Sequence, residues 1–179
     1  MMFACYYDSP LGKLLLTADA LGLTGLYFDG EKTEADRLAL ARTERETPLL
    51  AETKRWLDVY FSGSQPDFLP PLHPAGSAFR QAVWALLLQI PYGQTTTYGA
   101  IARQLAAKQG IPKMSAQAVG GAIGHNKIAI VIPCHRVIGA NGSLTGYAGG
   151  MNRKAALLEL EHTDMTGLFL PKKGPARER

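Results

Sequence analysis

The stretch TTTYGAIARQLAAKQGIPKMSAQAVGGAIG, residues 95–124, decides the architecture of the second half of the chain. A helix is predicted to begin at Thr96 or Thr97, because a threonine there can cap the free N–H groups of the first turn. Gly110 marks the end of this helix, and Ser115 caps a further helix over AQAVGGAIG. Two short helices joined by a turn are the outline of a helix-turn-helix.

The second of these helices has an unusually smooth outer face. Its buried stripe comprises Val119, Ala122 and Ile123. At 100° per residue, the outward side carries Gln117, Gly120, Gly121 and Gly124. Glycine inside a helix costs about 1 kcal/mol relative to alanine. Either another helix of the chain packs closely there, or an outside partner such as a nucleic-acid groove approaches the backbone.

The first part of the chain is typical of a small antiparallel sheet followed by helices. Strands are predicted over Phe3–Tyr7, Leu14–Ala18 and Leu23–Phe28, separated by the turn-forming stretches DSPLG and DALG. Two helices follow, over TEADRLALAR (33–42) and TPLLAETKRWLDVYFSG (47–63), and each begins at a threonine.

A proline-rich segment separates the two halves. SQPDFLPPLHPAGS, residues 64–77, contains four prolines, which remove backbone donors and favour a linker. We therefore predict domains at 1–72 and 73–179, with a helix over 77–90 opening the second domain and Pro91 ending that helix. The predicted fold class is α+β: an N-terminal three-stranded antiparallel sheet with helices, then a mainly helical, winged-helix-like helix-turn-helix domain.

Composition and charge narrow the class of protein. Hydrophobic residues are 46% and charged residues 19%, as in ordinary globular proteins. No apolar run approaches the roughly 20 residues of a membrane helix, and the N-terminus lacks the pattern of a secretion signal. With only Cys5 and Cys134, these features predict a cytoplasmic protein. The net charge of +4 slightly favours a polyanionic partner.

Cys134 has the surroundings of a nucleophile. It follows the apolar run IAIVI and lies between Pro133 and His135. Most cysteines are small buried hydrophobes, but proline restricts this backbone and a neighbouring histidine can generate the thiolate. A carboxylate that could orient the imidazole lies in ALLELEH, residues 156–162. The same Cys-His pair also suits a cysteine hydrolase or a metal site.

The spacing of metal-binding residues argues against a metal centre. The sequence contains no C-x-x-C and no H-x-H pattern. The histidines are far apart, at His73, His125, His135 and His162. We therefore predict no bound metal and no cofactor, and Cys5 is interpreted as a strand residue.

Several motifs together resemble one family. IPCHRVIG, GSLTGYAGG and NRKAALLELEH, with IPYGQTTTYGAIA and AVGGAIGHN upstream, resemble the active-site region of the O6-alkylguanine-DNA alkyltransferases, also called methylated-DNA–protein-cysteine methyltransferases. The resemblance runs from Phe79 to His162, whereas the first seventy residues are similar only in arrangement.

The resemblance implies DNA repair by direct reversal. Members transfer a methyl or other alkyl group from oxygen 6 of guanine, and also from O4-alkylthymine, to their own cysteine in one irreversible step. It implies double-stranded DNA carrying O6-alkylguanine as the partner, contacted in the minor groove with the damaged base flipped out. A monomer is expected, because a reagent that acts once on DNA needs no symmetric partner.

The resemblance also assigns roles within the reaction. Cys134 corresponds to the acceptor thiolate, His135 to the base that ionises it through a water, and Glu161 to the carboxylate that holds the imidazole. Asn126 corresponds to the asparagine that bridges the recognition helix and the active-site loop. Tyr98 corresponds to the tyrosine that donates a proton to the leaving base.

Contacts with the base and the DNA follow from the same resemblance. The resemblance implies that Tyr147 and the backbone carbonyls of Cys134 and Val137 line the pocket for the base and recognise it. The implied DNA-binding residues are Gln117, Ala118, Gly120 and Gly121. The family usually carries an arginine where Gln117 stands, and an amide brings no charge and less stacking surface. We expect base extrusion to survive here with weaker affinity for DNA.

Other functions stay open on the residues alone. A non-enzymatic relative that binds alkylated DNA and recruits other repair proteins would lack the acceptor cysteine. A helix-turn-helix transcription regulator would need a more basic recognition surface. A cysteine hydrolase would turn over many substrate molecules. Some family members carry zinc in the N-terminal region, but the residues after Cys5 offer no set of ligands for it.

Overall fold

The computed structural model describes residues 1–30 and 42–171. It confirms the α+β class, with a small sheet first and a mainly helical part after it. The helix predicted over 33–42 lies outside the described residues apart from Arg42.

The N-terminal sheet contains the predicted antiparallel meander and one additional strand. Its strands are β1 (Phe3–Ser9), β2 (Gly12–Ala18), β3 (Leu23–Phe28) and β4 (Thr43–Glu44). They lie in the order β3-β2-β1-β4, and β4 runs parallel to β1. The prediction of three strands was therefore incomplete. Strand β4 has only two residues, both exposed, so it lacks the alternation of apolar and polar residues that marks a strand.

Four of the five described helices begin at a serine or threonine cap. The helices are α1 (Pro48–Phe61), α2 (Ala78–Leu87), α3 (Tyr98–Gln109), α4 (Ala116–Gly124) and α5 (Met151–Leu160). The side chains of Thr47, Ser77, Thr97 and Ser115 each accept a hydrogen bond from a backbone N–H in the first turn of α1 to α4. These caps confirm the predicted starting points of the four helices.

Helices α3 and α4 form the predicted helix-turn-helix and pack on α2. Gly110 ends α3 in the left-handed conformation, at φ 66°. The buried indole of Trp84 in α2 donates from Nε1 to the carbonyl of Ala122 in α4, at 2.9 Å. This hydrogen bond fixes α4 on the core while its other side faces outward.

The smooth face of α4 is only partly as predicted. A Cβ atom on Gly121 or Gly124 would meet no atom of the described residues within 4 Å, so packing within this part of the chain does not require glycine there. Gly120 was predicted to face outward, but it is half-buried. A Cβ on Gly120 would lie 3.7 Å from the ring of Tyr98, because α3 passes beside this side of α4.

Strand β3 connects the two halves of the molecule. Leu26 donates its N–H to the carbonyl of Lys127 at 2.9 Å and accepts from the N–H of Ala129 at 3.0 Å. Leu23, also in β3, exchanges backbone hydrogen bonds with Pro71 and His73 of the proline-rich segment. That segment contains no helix and only one isolated bridge, as a linker should. The division of the chain at residue 72 remains a prediction.

One continuous apolar core extends through both halves. It includes Phe28 from the sheet, Tyr60 from α1, Trp84 from α2 and Leu157 from α5. Among the described residues, no helix is both long enough and apolar enough to cross a bilayer.

The Trp84 hydrogen bond gives a test of the fold. We expect Trp84→Phe to lower the free energy of unfolding by about 2 kcal/mol, because it leaves a small cavity and deprives the Ala122 carbonyl of its donor. Urea denaturation followed by circular dichroism measures the change. Leu88→Ala, at a side chain 39% exposed, is the matched control and should cost under about 0.5 kcal/mol. Equal losses in the two variants would contradict this account of α4 docking.

Candidate active site

The loop that leads to Cys134 contains a strained turn. Ile130 has a φ of 69°, a conformation that β-branched residues rarely adopt. The carbonyl of Ala129 accepts from the N–H of Val131 at 2.7 Å, so Ile130 is the centre of a three-residue γ-turn. Such strain persists only where the surroundings impose it, and it is frequent at functional sites.

Pro133 forms a second, relaxed γ-turn directly before the thiol. Its φ is −82° and its ψ is 64°, and the N–H of Cys134 donates to the carbonyl of Ile132 at 2.8 Å. Proline suits this turn because its ring already fixes φ near that value. A short 3-10 turn, Cys134–Arg136, follows. It leaves the Cys134 side chain half-buried and buries His135 completely.

Asn126 ties this loop to the end of α4. Its side-chain amide donates to the carbonyl of Ile132 at 2.8 Å and to that of Ile128 at 3.3 Å. Its side-chain oxygen accepts from the N–H of Ile128 at 3.1 Å. The residue therefore joins the helix-turn-helix to the strained loop.

The carboxylate of Glu161, at the end of α5, accepts hydrogen bonds from four donors. Oε2 lies 2.5 Å from Nε2 of His135 and accepts from the Tyr60 hydroxyl at 2.5 Å. Oε1 accepts from Nε of Arg136 at 2.7 Å and from the N–H of Gly93 at 3.4 Å. Only 1% of the Glu161 residue is exposed, so these donors replace water around the charge.

Within this network, the surroundings favour the charged form of Glu161 and the neutral form of His135. Burial would raise the pKa of Glu161, but hydrogen bonds from His135 and Arg136 outweigh it and lower that pKa to about 2. Burial lowers the pKa of His135 more than Glu161 raises it. The imidazole is therefore neutral at pH 7 and donates from Nε2, which leaves Nδ1 as a base. Nδ1 is buried and has no hydrogen-bond partner among the described residues.

Tyr98 stands at the first position of α3, beside the loop that follows β6 (Val137–Ile138). Its hydroxyl donates to the carbonyl of Thr145 at 3.0 Å. The pKa of Tyr98 is raised above its ordinary value, mainly by burial and to a smaller extent by the nearby Cys134. The phenol therefore stays protonated near neutral pH and retains a proton to donate.

Lys154 is a buried cation that the sequence analysis did not single out. Its ammonium group donates to the carbonyls of Val137 and Thr145 and lies 5.9 Å from the centre of the Tyr98 ring. Burial lowers its pKa to about 8, and the proximity of Cys134 acts in the opposite direction. Lys154 thus places a positive charge close to the thiol and joins the backbone at Val137 to the backbone at Thr145.

A small cavity of about 20 Å³ opens at the thiol. Its walls include Cys134, Asn126, Tyr147, Gly146 and Ala148, together with Leu26 and Tyr27 from β3. Tyr147 is buried and packs edge-on against Phe28, with ring centres 6.5 Å apart. The N-terminal sheet therefore forms part of the wall beside the Cys134 sulfur.

The predicted site residues lie in two groups. Cys134, His135 and Glu161 are together with Asn126 and Tyr98 around the loop, and Tyr147 lines the cavity. The carbonyl of Val137 faces Lys154 and accepts its hydrogen bond. The predicted DNA contacts occupy α4, where Gln117, Ala118 and Gly121 are exposed and Gly120 is half-buried. Helix α4 joins the groups, because Ile123 and Gly124 at its end line the cavity.

Tyr60, Arg136 and Lys154 were missed in the sequence. Arg136 follows His135 directly, so its proximity to the site could have been expected. Lys154 precedes Glu161 by seven residues, which is two turns of one helix, and therefore shares its buried face. Nothing in the sequence pairs Tyr60 with Glu161, because 101 residues separate them.

Comparison with known proteins gives consistent matches over most of the chain. The family model for the ribonuclease-like domain of 6-O-methylguanine DNA methyltransferase matches residues 2–74, and the model for its DNA binding domain matches residues 78–163. The methylated-DNA–protein-cysteine methyltransferase of Mycobacterium leprae is 45% identical over 91% of this chain and 94% of its own length. That of Methanosarcina acetivorans is 44% identical over 89% and 98%.

Solved structures show the same fold. The crystal structure of Mycobacterium tuberculosis O6-methylguanine methyltransferase superposes with a TM-score of 0.77 at 42% identity, over 98% of this chain and 96% of that one. The structure of Mycobacterium tuberculosis OGT in complex with DNA gives 0.77 at 43% identity, over 89% and 92%. The chain therefore belongs to the 6-O-methylguanine DNA methyltransferase family.

Proposed function

We propose that the chain repairs DNA by direct reversal, as a methylated-DNA–protein-cysteine methyltransferase that moves an alkyl group from oxygen 6 of guanine to Cys134. The observation that carries this proposal is the half-buried thiol beside a buried His135–Glu161 pair in a helix-turn-helix domain. The names of the Mycobacterium leprae and Methanosarcina acetivorans relatives support it.

Activation of the thiol begins at His135. Neutral imidazole accepts the thiol proton at Nδ1 through a bridging water, and the ionised carboxylate of Glu161 stabilises the imidazolium that forms. The ammonium group of Lys154 is close enough to Cys134 to favour the thiolate. The asparagine and proline of the loop hold the sulfur in place while this happens.

The displacement needs a proton removed from the thiol and a proton given to the leaving guanine. The sulfur attacks the alkyl carbon, a carbon–sulfur bond forms, and the bond from that carbon to oxygen 6 breaks. The electron pair stays with guanine, which takes up the proton of Tyr98, so the leaving base is not released as an anion; the tyrosinate and the imidazolium of His135 then regain their neutral forms by proton exchange through solvent. To do so, the Tyr98 hydroxyl exchanges the carbonyl of Thr145 for the base. The thioether product does not hydrolyse, and each molecule acts once.

The damaged base reaches the thiol only if it leaves the duplex. The exposed face of α4 would lie against the minor groove, and the complex of Mycobacterium tuberculosis OGT with DNA supports contact with DNA. A cavity of about 20 Å³ holds one methyl group or one water, but no purine ring. A flipped base therefore enters only if part of the cavity wall moves outward.

Under this proposal, the protein acts as a monomer on double-stranded DNA, and O4-alkylthymine is a secondary substrate. A lesion-binding sensor remains the alternative that is nearest in chemistry. Such a protein would bind the same flipped base and leave it unchanged, so the fate of Cys134 distinguishes the two functions.

The first test is the mass of the protein after reaction. Incubation with duplex DNA bearing one O6-methylguanine should add one methyl group per protein, and peptide masses should place it on Cys134. The addition should saturate at one equivalent, because the thioether is stable. Cys134→Ser should gain nothing, while the matched control Cys5→Ser should react like the unaltered protein. Unmodified protein that binds the lesion would indicate a sensor, and repeated turnover would indicate a hydrolase.

The reaction should depend on pH through His135. Because burial depresses the pKa of His135 below its ordinary 6.5, more than half of the base is neutral at pH 6.5, and the midpoint of the fall in rate should lie below that pH. Single-turnover rates between pH 5 and about 8 measure this limb. His73→Gln, at an exposed histidine, should leave the profile unchanged. A decline centred above pH 6.5 would contradict the assignment of His135 as a neutral base.

Gln117 offers a test of the DNA-binding face. If α4 lies in the groove, Gln117→Arg should tighten binding to duplex DNA severalfold, by roughly 1 kcal/mol, since it adds a positive charge and a stacking surface. Fluorescence anisotropy with a labelled duplex measures the affinity. Gln89→Arg adds the same charge at an exposed position after α2 and controls for non-specific attraction. Equal effects of the two substitutions, or a Gln117→Ala variant with unchanged repair rate, would reject this role.

A further inference from the structure

Tyr60 connects the N-terminal half directly to the reactive centre. It lies in α1, and its hydroxyl donates to Oε2 of Glu161 at 2.5 Å. The same oxygen lies 2.5 Å from Nε2 of His135. Two donors from different halves of the chain therefore share one carboxylate oxygen, and both are completely buried.

The ring of Tyr60 is held independently of its hydroxyl. It stacks on Trp56 with ring centres 5.3 Å apart and an interplanar angle of 9°. It also meets Tyr92 edge-on at 6.4 Å. A phenylalanine would satisfy these contacts equally well. A buried hydroxyl costs free energy unless it is paired, so the oxygen of Tyr60 is explained by Glu161 rather than by packing.

The hydroxyl changes what the carboxylate does to the imidazole. A donor on Oε2 draws negative charge away from the oxygen that faces His135, and it lowers the affinity of that oxygen for a proton. The shared proton therefore stays on Nε2 of His135, and Nδ1 remains the basic nitrogen. Donation from Tyr60 also weakens the attraction between Glu161 and a charged imidazolium.

We propose that Tyr60 is a positioning residue of the alkyl-transfer centre, through which α1 of the N-terminal half sets the orientation and protonation of His135 by way of Glu161. This inference rests on the proposed function for its effect on rate. Its effect on His135 is independent of that function, because the hydrogen bonds exist without substrate.

Tyr60→Phe removes the hydroxyl and keeps the ring. The carboxylate then attracts the imidazolium more strongly, so the titration of His135 should move to higher pH by about half a unit or more. The acid limb of the single-turnover rate should move in the same direction. At pH 7.5 the rate of methyl transfer should fall by roughly tenfold, the scale of lost second-layer hydrogen bonds. Histidine NMR signals, assigned with a His135→Gln sample, measure the titration directly.

Tyr7→Phe is the matched control. Tyr7 also lies in the N-terminal half and donates to a carboxylate, Asp58 Oδ1, at 2.6 Å, but it has no contact with Glu161 in the described hydrogen-bond network. Its removal should leave both the His135 titration and the rate profile unchanged. Thermal melting of each variant shows whether it is folded. If Tyr60→Phe does not fold, 3-fluorotyrosine at position 60 keeps the ring and donates more strongly, and it should move the His135 titration to lower pH.

The outcomes separate the two proposals. A Tyr60→Phe protein that melts normally and titrates like the unaltered protein would overturn the role of Tyr60. A slower reaction with no movement of the titration would also overturn it, since packing alone would explain the loss. If the unaltered protein transfers no methyl group, the proposed function fails, while the His135 titration still decides whether Tyr60 acts on the imidazole.

Discussion

The arrangement around the reactive thiol depends on one buried carboxylate. An ionised Glu161 inside the core would be costly if it were left alone, so the fold surrounds it with donors. These come from α1, from the backbone before β5 (Thr96–Thr97) and from the 3-10 turn Cys134–Arg136. Satisfying the charge therefore fixes the relative positions of three separate parts of the chain, and the imidazole acquires its orientation as one consequence.

The N-terminal sheet supports the loop that carries the thiol. Strand β3 pairs with the backbone just before the strained residue Ile130, and Phe28 packs against Tyr147, which lines the cavity. On the other side, Asn126 holds the carbonyl of Ile132. A strained turn persists only when its neighbours determine its conformation from several directions. The sheet, Asn126 and Pro133 together hold the turn in this conformation. The N-terminal half therefore contributes directly to the structure of the site.

The sequence predicted local features well and long-range ones poorly. The starts of α1 to α4 were predictable because a cap acts within its own first turn. Cys134, His135 and Glu161 were singled out because the motifs that contain them, IPCHRVIG and NRKAALLELEH, resemble those of a known family. Strand β4 has no pattern of its own, since pairing with β1 alone defines it. The contact of Tyr60 with Glu161 arises only when the halves dock, and neither local spacing nor composition carries information about it.

The carboxylate network has a consequence for how the protein is made. Synthesis begins at the N-terminus, and Glu161 is among the last described residues to be added. Until α5 has formed and packed against the 3-10 turn Cys134–Arg136, His135 lacks the carboxylate that keeps its proton on Nε2. A growing or partly folded chain therefore carries an ordinary, weakly reactive thiol. In the proposed reaction, the sulfur becomes a strong nucleophile only in the finished fold, so the single acceptor atom is not consumed before the protein can reach DNA.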